Sequence, residues 1–443
     1  MIKSNHSNAS RQGGSAARGA LSLGVAGVAF AALATSFTAD VASAQVEIHG
    51  FIEGGTGVRL VDEPDVPQGA DAAYLPSAWS GTKDFTLRET RVQLKGDLYG
   101  DVGEAHFVTD LLADQAAGSG SDVVIREGYV KFNAFQDKLE ARVGRQPTTW
   151  GTGDLLFIND LFPKDYVSFF VGRDDQYLKG PSDAIRLGVF GLPVALDVVY
   201  TPEFTPDNLP TGERLVFWAP AMLPVSRPSQ DLENGELAVR VSRYLGGFNV
   251  AGYVYRGFWK QPNGMVIAED GMTPTGFYHP ELRVYGASAR GGFQGGVAWV
   301  EGGYYDSSED PDGILPTVPN SELRAMAGYE RQWWSDFTGG AQVYWEGVQD
   351  FVENPQDPKE ENRVLLTLRL MQMLKYQTVK LNAFTFYSPT DEDAYVRLGV
   401  TYDYTDQLQL NVGANLFSGS DNRTLFGMNE DNSNVFGRVR FSF

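Results

Sequence analysis

Beyond residue 44, apolar and polar residues alternate one for one in stretch after stretch, and no window has the apolar length of a membrane-spanning helix. Near the end, Leu408, Leu410, Val412, Ala414 and Leu416 fall on one side, and Gln409, Asn411, Gly413 and Asn415 on the other. Ala394, Val396, Leu398, Val400 and Tyr402 oppose Tyr395, Arg397, Gly399, Thr401 and Asp403 in the same way. A period of two sends successive side chains to opposite faces of an extended strand. The stretches are bounded by Gly, Asn, Asp and Pro, which punctuate strands with turns. The pattern predicts strands near 46–60, 84–99, 103–112, 122–133, 137–146, 183–190, 194–201, 235–245 and 248–260. Nine more follow near 280–290, 293–305, 320–333, 337–348, 360–373, 378–388, 392–404, 408–419 and 432–443, eighteen in all.

The connections alternate in length. Short ones at 100–102, 134–136, 191–193, 246–247, 291–292, 334–336, 374–377 and 405–407 are separated by mostly long ones. Tight turns on one side, longer loops on the other and an even strand count describe a transmembrane barrel. In lipid every backbone group needs a partner, so such a sheet must close, first strand on last. The expected fold is all-β: an antiparallel up-and-down transmembrane barrel of about eighteen strands with both termini on the short-turn, periplasmic side. A soluble sandwich or propeller would also alternate, but it would not account for aromatics at strand ends. Trp333, Trp334, Phe337, Tyr344 and Trp345 suit the two interfacial girdles of a barrel.

The first 44 residues read as a signal peptide: basic Lys3, Arg11 and Arg18, a small apolar run from Ala20 to Phe37, then Ala42-Ser43-Ala44 before the expected cut. A retained anchor is the alternative, against which stands a run that is short for a span and rich in Ala and Gly. With no cysteine in the chain, a lipoprotein, disulfides and thiolate metal sites are excluded. The leader carries three basic residues and Asp40, so its removal takes the net charge from −20 to −22. Such acidity argues against nucleic acid as a partner. The barrel then occupies 45–443. Its last strand, NVFGRVRFSF, alternates Val439, Phe441 and Phe443 against Arg438, Arg440 and Ser442 and stops on an aromatic carboxyl terminus. An ending of this kind resembles the signal read by the bacterial barrel-assembly machinery, which makes that machinery an expected partner through Phe443.

One stretch breaks the alternation. Residues 145–183 hold Trp150, Phe157, Phe162, Tyr166, Phe169, Phe170 and Tyr177 among charges of both signs. An irregular excursion this long inside a compact domain is uncommon and usually functional. It is expected to be the third extracellular loop, folded inward as a constriction. Asp154, Asp160, Asp165 and Asp174 would face Lys164, Arg173 and Lys179 there, and rings of charge are how filters select. The aromatics would touch sugar rings or apolar solutes, or else form the loop's own packing core.

The strand entering this stretch, LEARVGRQPTTWGTGD from Leu139 to Asp154, resembles the Gly-Arg-Gln followed by Trp-Gly of the alginate-export and related eighteen-stranded outer-membrane porins of Gram-negative bacteria. The resemblance implies a cell outer-membrane location, an inward third loop and passive transport of small hydrophilic solutes. A monomer is favoured over a trimer.

Charges facing lipid at mid-depth cost roughly 2 to 4 kcal/mol each, so charged strand positions belong on the inner face. That places Arg91, Lys95, Arg142, Arg240, Arg324, Arg369, Lys380, Arg397, Arg438 and Arg440 as pore-lining. Arginine grips carboxylate and sulfate oxygens in pairs, so anionic solutes are expected to be favoured. Alternatively, Arg and Glu on neighbouring strands neutralise one another and brace the wall. A plugged barrel that docks periplasmic or surface partners is the second functional reading, and an outer-membrane hydrolase the third. For a hydrolase the only candidate cluster is His106 with Asp110, near His49. No catalytic residues, metal ligands or cofactors are assigned. Glu309, Asp310, Asp312 and Gly313 fall short of a calcium loop, because its terminal Glu is missing.

Overall fold

The computed structural model describes residues 45–61, 75–76, 84–100, 103–116, 120–212, 214–215, 218–219, 223–271, 273–353 and 359–443; the expected signal peptide lies outside them. Eighteen strands form the wall. They are β1 (Gln45–Arg59), β2 (Phe85–Tyr99), β3 (Glu104–Asp114), β4 (Ser121–Ala134), β5 (Leu139–Pro147), β6 (Pro181–Val189), β7 (Ala195–Thr201), β8 (Glu236–Leu245) and β9 (Phe248–Phe258). The second half comprises β10 (Glu281–Phe293), β11 (Gly296–Ser307), β12 (Glu322–Trp334), β13 (Phe337–Val348), β14 (Asn362–Leu374), β15 (Val379–Ser388), β16 (Asp393–Asp403), β17 (Leu408–Gly419) and β18 (Asn434–Ser442). Each pairs antiparallel with its neighbours in sequence, and β18 returns to β1 in register from Phe51 with Ser442 to Arg59 with Asn434. The terminal residue is held as well: Gly50 and Phe443 exchange both backbone hydrogen bonds, at 3.0 and 2.9 Å. The sheet is therefore closed, and no edge is left to pair with another chain.

Tight turns join the strands at one end. Gly246-Gly247 and Gln294-Gly295 both adopt positive φ at each residue, the backbone that a two-residue hairpin turn matched to strand twist demands. Exposed aromatics ring this end, among them Tyr244, Phe293, Trp333, Trp334, Tyr376 and Phe443. Trp334 stacks on Phe337 with centroids 4.0 Å apart. Tyr344 does not belong to a girdle. It is buried and bonds Glu346, because adjacent strand residues face opposite sides and only Trp345 points outward.

The two faces of the wall differ in chemistry. Val300, Val343, Leu366, Leu368, Leu398, Val412 and Val439 are exposed on one face. Their alternates Glu301, Gln342, Thr367, Arg397 and Arg438 occupy the other. At the open ends of the long loops, a three-stranded sheet (225–226, 264–267 and 274–278) and a two-stranded one (75–76 and 218–219) are added above the wall.

Candidate functional site

Residues 148–180 run from β5 to β6 without joining the wall, and their contacts fix where they lie. Trp150 donates its indole N–H to Asp197 on β7 at 3.3 Å. Thr152, through its amide and hydroxyl, and Asn159, through its amide and side-chain amide, give four hydrogen bonds of 2.6 to 3.0 Å to the Glu301 carboxylate on β11. The amide of Asp154 donates to Gln342 on β13, which returns a bond to the Asp154 carbonyl, both at 2.8 Å. Further along, Asn434 on β18 reaches the Phe170 carbonyl at 3.3 Å. All these wall residues belong to the polar face.

The second half of the segment is held by packing and buried charge. Asp165 caps the short helix α1 (Tyr166–Phe170) by accepting from the Ser168 amide at 2.8 Å. That helix presents Phe169 and Phe170 edge-on to Tyr395, with centroids 5.4 and 5.9 Å apart, and Phe170 also meets Phe417 at 5.4 Å. Offset and edge-to-face pairs of this kind add about 0.5 to 1.5 kcal/mol each beyond area burial. Arg173 then bridges Glu89 on β2 and Asp114 on β3, and Arg214 joins it at Asp114. Next to this network Arg91 pairs with Asp110, and its guanidinium lies over the Tyr177 ring at 4.1 Å.

A second stretch, 202–215, packs against the first. The Lys164 amide donates to Asp207 and the Lys164 carbonyl accepts from Asn208, each at 2.8 Å, and the Arg214 carbonyl accepts from Arg59 at 2.9 Å. Sequence reasoning passed over this stretch and over Glu301. Loops carry no periodicity to read, and Glu301 looks like any inward carboxylate.

Between segment 148–180 and the wall lies a gap of about 250 Å³. Asp154, Asp174 and Asp175 border it on the segment side, and Arg369, Arg397 and Arg438 on the wall side. Arg369 meets Asp154 at 2.7 Å and Arg397 meets Asp175 at 2.5 Å. Asp174 reaches Arg440 at 3.3 Å, and Arg440 also bonds Glu53 at 2.7 Å. The Arg438 guanidinium is 3.9 Å from Glu53 and bonds Asn411 at 3.2 Å, while its Nε and Nη1 have no hydrogen-bond acceptor.

The structure thus divides the residues that the sequence grouped. Of the pore-lining set, Arg369, Arg397 and Arg438 border the gap, with Arg440 beside it. Arg91 is buried beneath Tyr177. Arg324 lies over the Tyr305 ring at 3.9 Å, pairing with Glu322 and, at 3.3 Å, with Glu346. Arg240 bonds Asn249 at 3.2 Å. Towards the tight turns, Lys95 stands 4.0 Å from Asp97, Arg142 bonds Glu140 at 2.9 Å, and Lys380 pairs with Asp403 at 2.9 Å. Most of the inner cations therefore meet a carboxylate.

In the loop set, only Asp154 and Asp174 reach the gap. Asp160 and Lys164 pair with each other at 3.0 Å, both buried, Asp165 caps α1, and Arg173 is locked in the buried network. Lys179 pairs its backbone with Lys164. Within the loop Asp160 and Lys164 answer each other, and between loop and wall Asp154 and Asp175 face Arg369 and Arg397. The loop aromatics pack in the core, the second of the two roles considered for them.

Nor do the enzyme and calcium candidates assemble. Asp110 is taken by Arg91 and Gln93, whereas His106 bonds Asp97 at 2.6 Å and lies 3.4 Å from Glu127. Asp310 accepts from the amides of Ile314 and Leu315, and Glu309 from Tyr278 and the Glu281 amide. Among the described residues no group of three or more His, Asp or Glu side chains is placed to hold a metal ion.

No family model matches the chain, the alginate-export family included, and no curated protein matches it. Among solved structures, the chain is similar to Acinetobacter baumannii OccAB3 with a TM-score of 0.50 at 10% identity, covering 91% of this chain and 100% of that one. The outer membrane channel DcaP of Acinetobacter baumannii gives 0.44 at 13% identity, over 91% and 99%. Salmonella typhi OmpF in complex with daunomycin gives 0.42 at 9% identity, over 90% and 97%. At 10% identity the likeness to OccAB3 supports the closed-barrel fold and nothing finer.

Proposed function

We propose that the protein is a monomeric outer-membrane porin of a Gram-negative bacterium, passing small hydrophilic solutes passively and favouring anionic ones. Export through a cleaved leader and insertion by the barrel-assembly machinery, through the strand ending at Phe443, belong to the same reading. One observation carries it: the gap between segment 148–180 and the wall, with carboxylates on one side and arginines on the other. A gap bordered in this way orients a polar solute and rejects an apolar one, as charged filters do. The anion preference rests on Arg438. Asp154, Asp174 and Asp175 each already meet an arginine, whereas the Arg438 guanidinium, which borders the same gap, is 3.9 Å from Glu53, beyond hydrogen-bond distance. A carboxylate or sulfate oxygen satisfies such a guanidinium well.

A second reading has its own support, since segment 148–180 packs on the polar face of the wall and segment 202–212 packs on it in turn. A barrel filled by these segments serves equally as a plugged scaffold docking a partner. Planar bilayers separate the two. Steady single-channel conductance with a reversal potential on the anion side in a salt gradient supports the porin. Cation preference removes the role given to Arg438, and a folded but silent barrel removes the porin altogether.

A further inference from the structure

A cavity of about 630 Å³ opens on the outer wall, at the seam where β1 meets β18. Its floor is made of small residues: Gly54 and Thr56 on β1, and Gly437, which lies opposite Thr56 on β18. Leu410, Val412 and Val439 form one flank. Val412 and Val439 are 61% and 51% exposed, on the aliphatic face and away from Arg438 and Asn411. Arg88 and Gln115 stand at the mouth on the other flank, both exposed, and the Gln115 amide donates to the Arg88 carbonyl at 2.9 Å. Large aliphatic side chains such as Val343, Leu366 and Leu398 cover much of this face. Here the wall is indented.

Height decides what the mouth meets. Eleven residues separate Arg88 from Tyr99 at the tight-turn end of β2. At about 3.3 Å per residue and a tilt of about 40°, Arg88 stands about 28 Å above Tyr99, just beyond an apolar band about 25 Å tall. The guanidinium is thus level with the lipid headgroups of the outer leaflet, while the groove below it runs into the hydrocarbon. Arg88 makes no ion pair with any described residue; its guanidinium lies 5.3 Å from the Phe85 ring. Unfilled space facing hydrocarbon forfeits contacts along its whole lining.

We infer that this groove binds one lipid of the outer leaflet, an acyl chain lying over Gly54 and Gly437 and a phosphate-bearing headgroup held by Arg88. Planar guanidinium donors match phosphate oxygens, and the side-chain amide of the exposed Gln115 beside them can add a further donor. The inference needs the barrel to sit in a membrane but is independent of what passes through it.

The test is native mass spectrometry of the full barrel after detergent exchange, followed by reloading from vesicles of mixed phosphatidylglycerol and phosphatidylcholine. A Cβ at Gly54 meets nothing within 4 Å, so Gly54→Leu fills the groove without strain and keeps an apolar side chain facing lipid. The wild-type barrel is expected to retain one phosphate-bearing lipid and Gly54→Leu none. Arg88→Gln is expected to lower the preference for phosphatidylglycerol about fivefold, the effect of one arginine near a charged surface. The temperature-dependent electrophoretic mobility of a closed barrel verifies folding in each variant. Equal retention by Gly54→Leu, or unchanged headgroup preference in Arg88→Gln, overturns the inference. So does displacement of the lipid by inorganic phosphate alone, or a wild-type oligomer, free of lipid, that Gly54→Leu dissociates, since the groove would then belong to a second copy of the chain.

Discussion

Replacing Glu301 by glutamine tests whether segment 148–180 is anchored as described. The carboxylate is 4% exposed and accepts two bonds on each oxygen, from Thr152 at 2.6 and 2.8 Å and from Asn159 at 2.8 and 3.0 Å. Hydrogen bonds to a charged acceptor contribute about 1.5 to 3 kcal/mol each. An amide keeps one accepting oxygen and turns the other position into a donor. The bonds to Asn159 survive in weaker form, and the Thr152 hydroxyl can reverse to accept, but the Thr152 amide is left facing an N–H group. An unsatisfied buried donor costs about 1 to 3 kcal/mol, and the lost charge assistance adds to it. Uncharging a buried carboxylate returns part of its desolvation cost, so the net loss of anchoring is about 2 to 4 kcal/mol, a roughly thirtyfold to thousandfold increase in detached segment. Single-channel recording should show higher open conductance and excess current noise, and hydrogen exchange should rise across residues 150–160. Wild-type conductance and protection in a folded Glu301→Gln barrel would refute the anchoring argument.

Asp154→Asn removes the carboxylate facing Arg369 but leaves both backbone bonds to Gln342; reversal potentials should move towards anions with noise unchanged. Arg397→Gln and Arg438→Gln, measured the same way, should move them towards cations. Arg173→Met leaves Glu89 and Asp114 short of a partner in a buried network, and breaking such pairs costs about 3 to 5 kcal/mol, so the denaturant midpoint should fall. Burial, reinforced by Arg227 and Lys260, holds the His279 imidazole below its ordinary 6.5. A histidine depressed in this way lends stability that is whole above its unfolded value and drains as pH falls towards its folded one. The hydrogen-exchange protection factors of the amides flanking His279, corrected for the intrinsic rate at each pH, should therefore fall between pH 7.5 and 5.

The wall was legible because lipid enforces a binary choice at every strand position. Charge on the outer face costs kcal/mol per residue, so parity alone put Arg369, Arg397 and Arg438 on the same side as Glu301 and Gln342. Parity also exposes a misplaced aromatic: Tyr344 and Trp345 are neighbours in a regular stretch of strand, without the register shift found at Trp333 and Trp334, and cannot both face the membrane. What parity cannot supply is partners. Asp154 lies 215 residues from Arg369, and Asp175 lies 222 from Arg397. Reading the inner wall strand by strand found an excess of cations, because the carboxylates that answer Arg369 and Arg397 come from the loop.

Segment 148–180 keeps its anchoring apart from the groups it turns towards the gap. Glu301, the Phe169 and Phe170 contacts with Tyr395, and the Arg173 network are buried, where bonds are strong and salt screens them little. Asp154, Asp174 and Asp175 stand on backbone held by those anchors, and the side chains of Asp174 and Asp175 are 36% and 65% exposed. Ion pairs this exposed contribute about 0 to 1 kcal/mol, little enough for a passing anion to exchange with the carboxylate on Arg397. Substitutions among the anchors should therefore alter conductance and stability together. Substitutions among the three aspartates should alter selectivity alone, a division that fails if Asp175→Asn lowers the denaturant midpoint as far as Arg173→Met does.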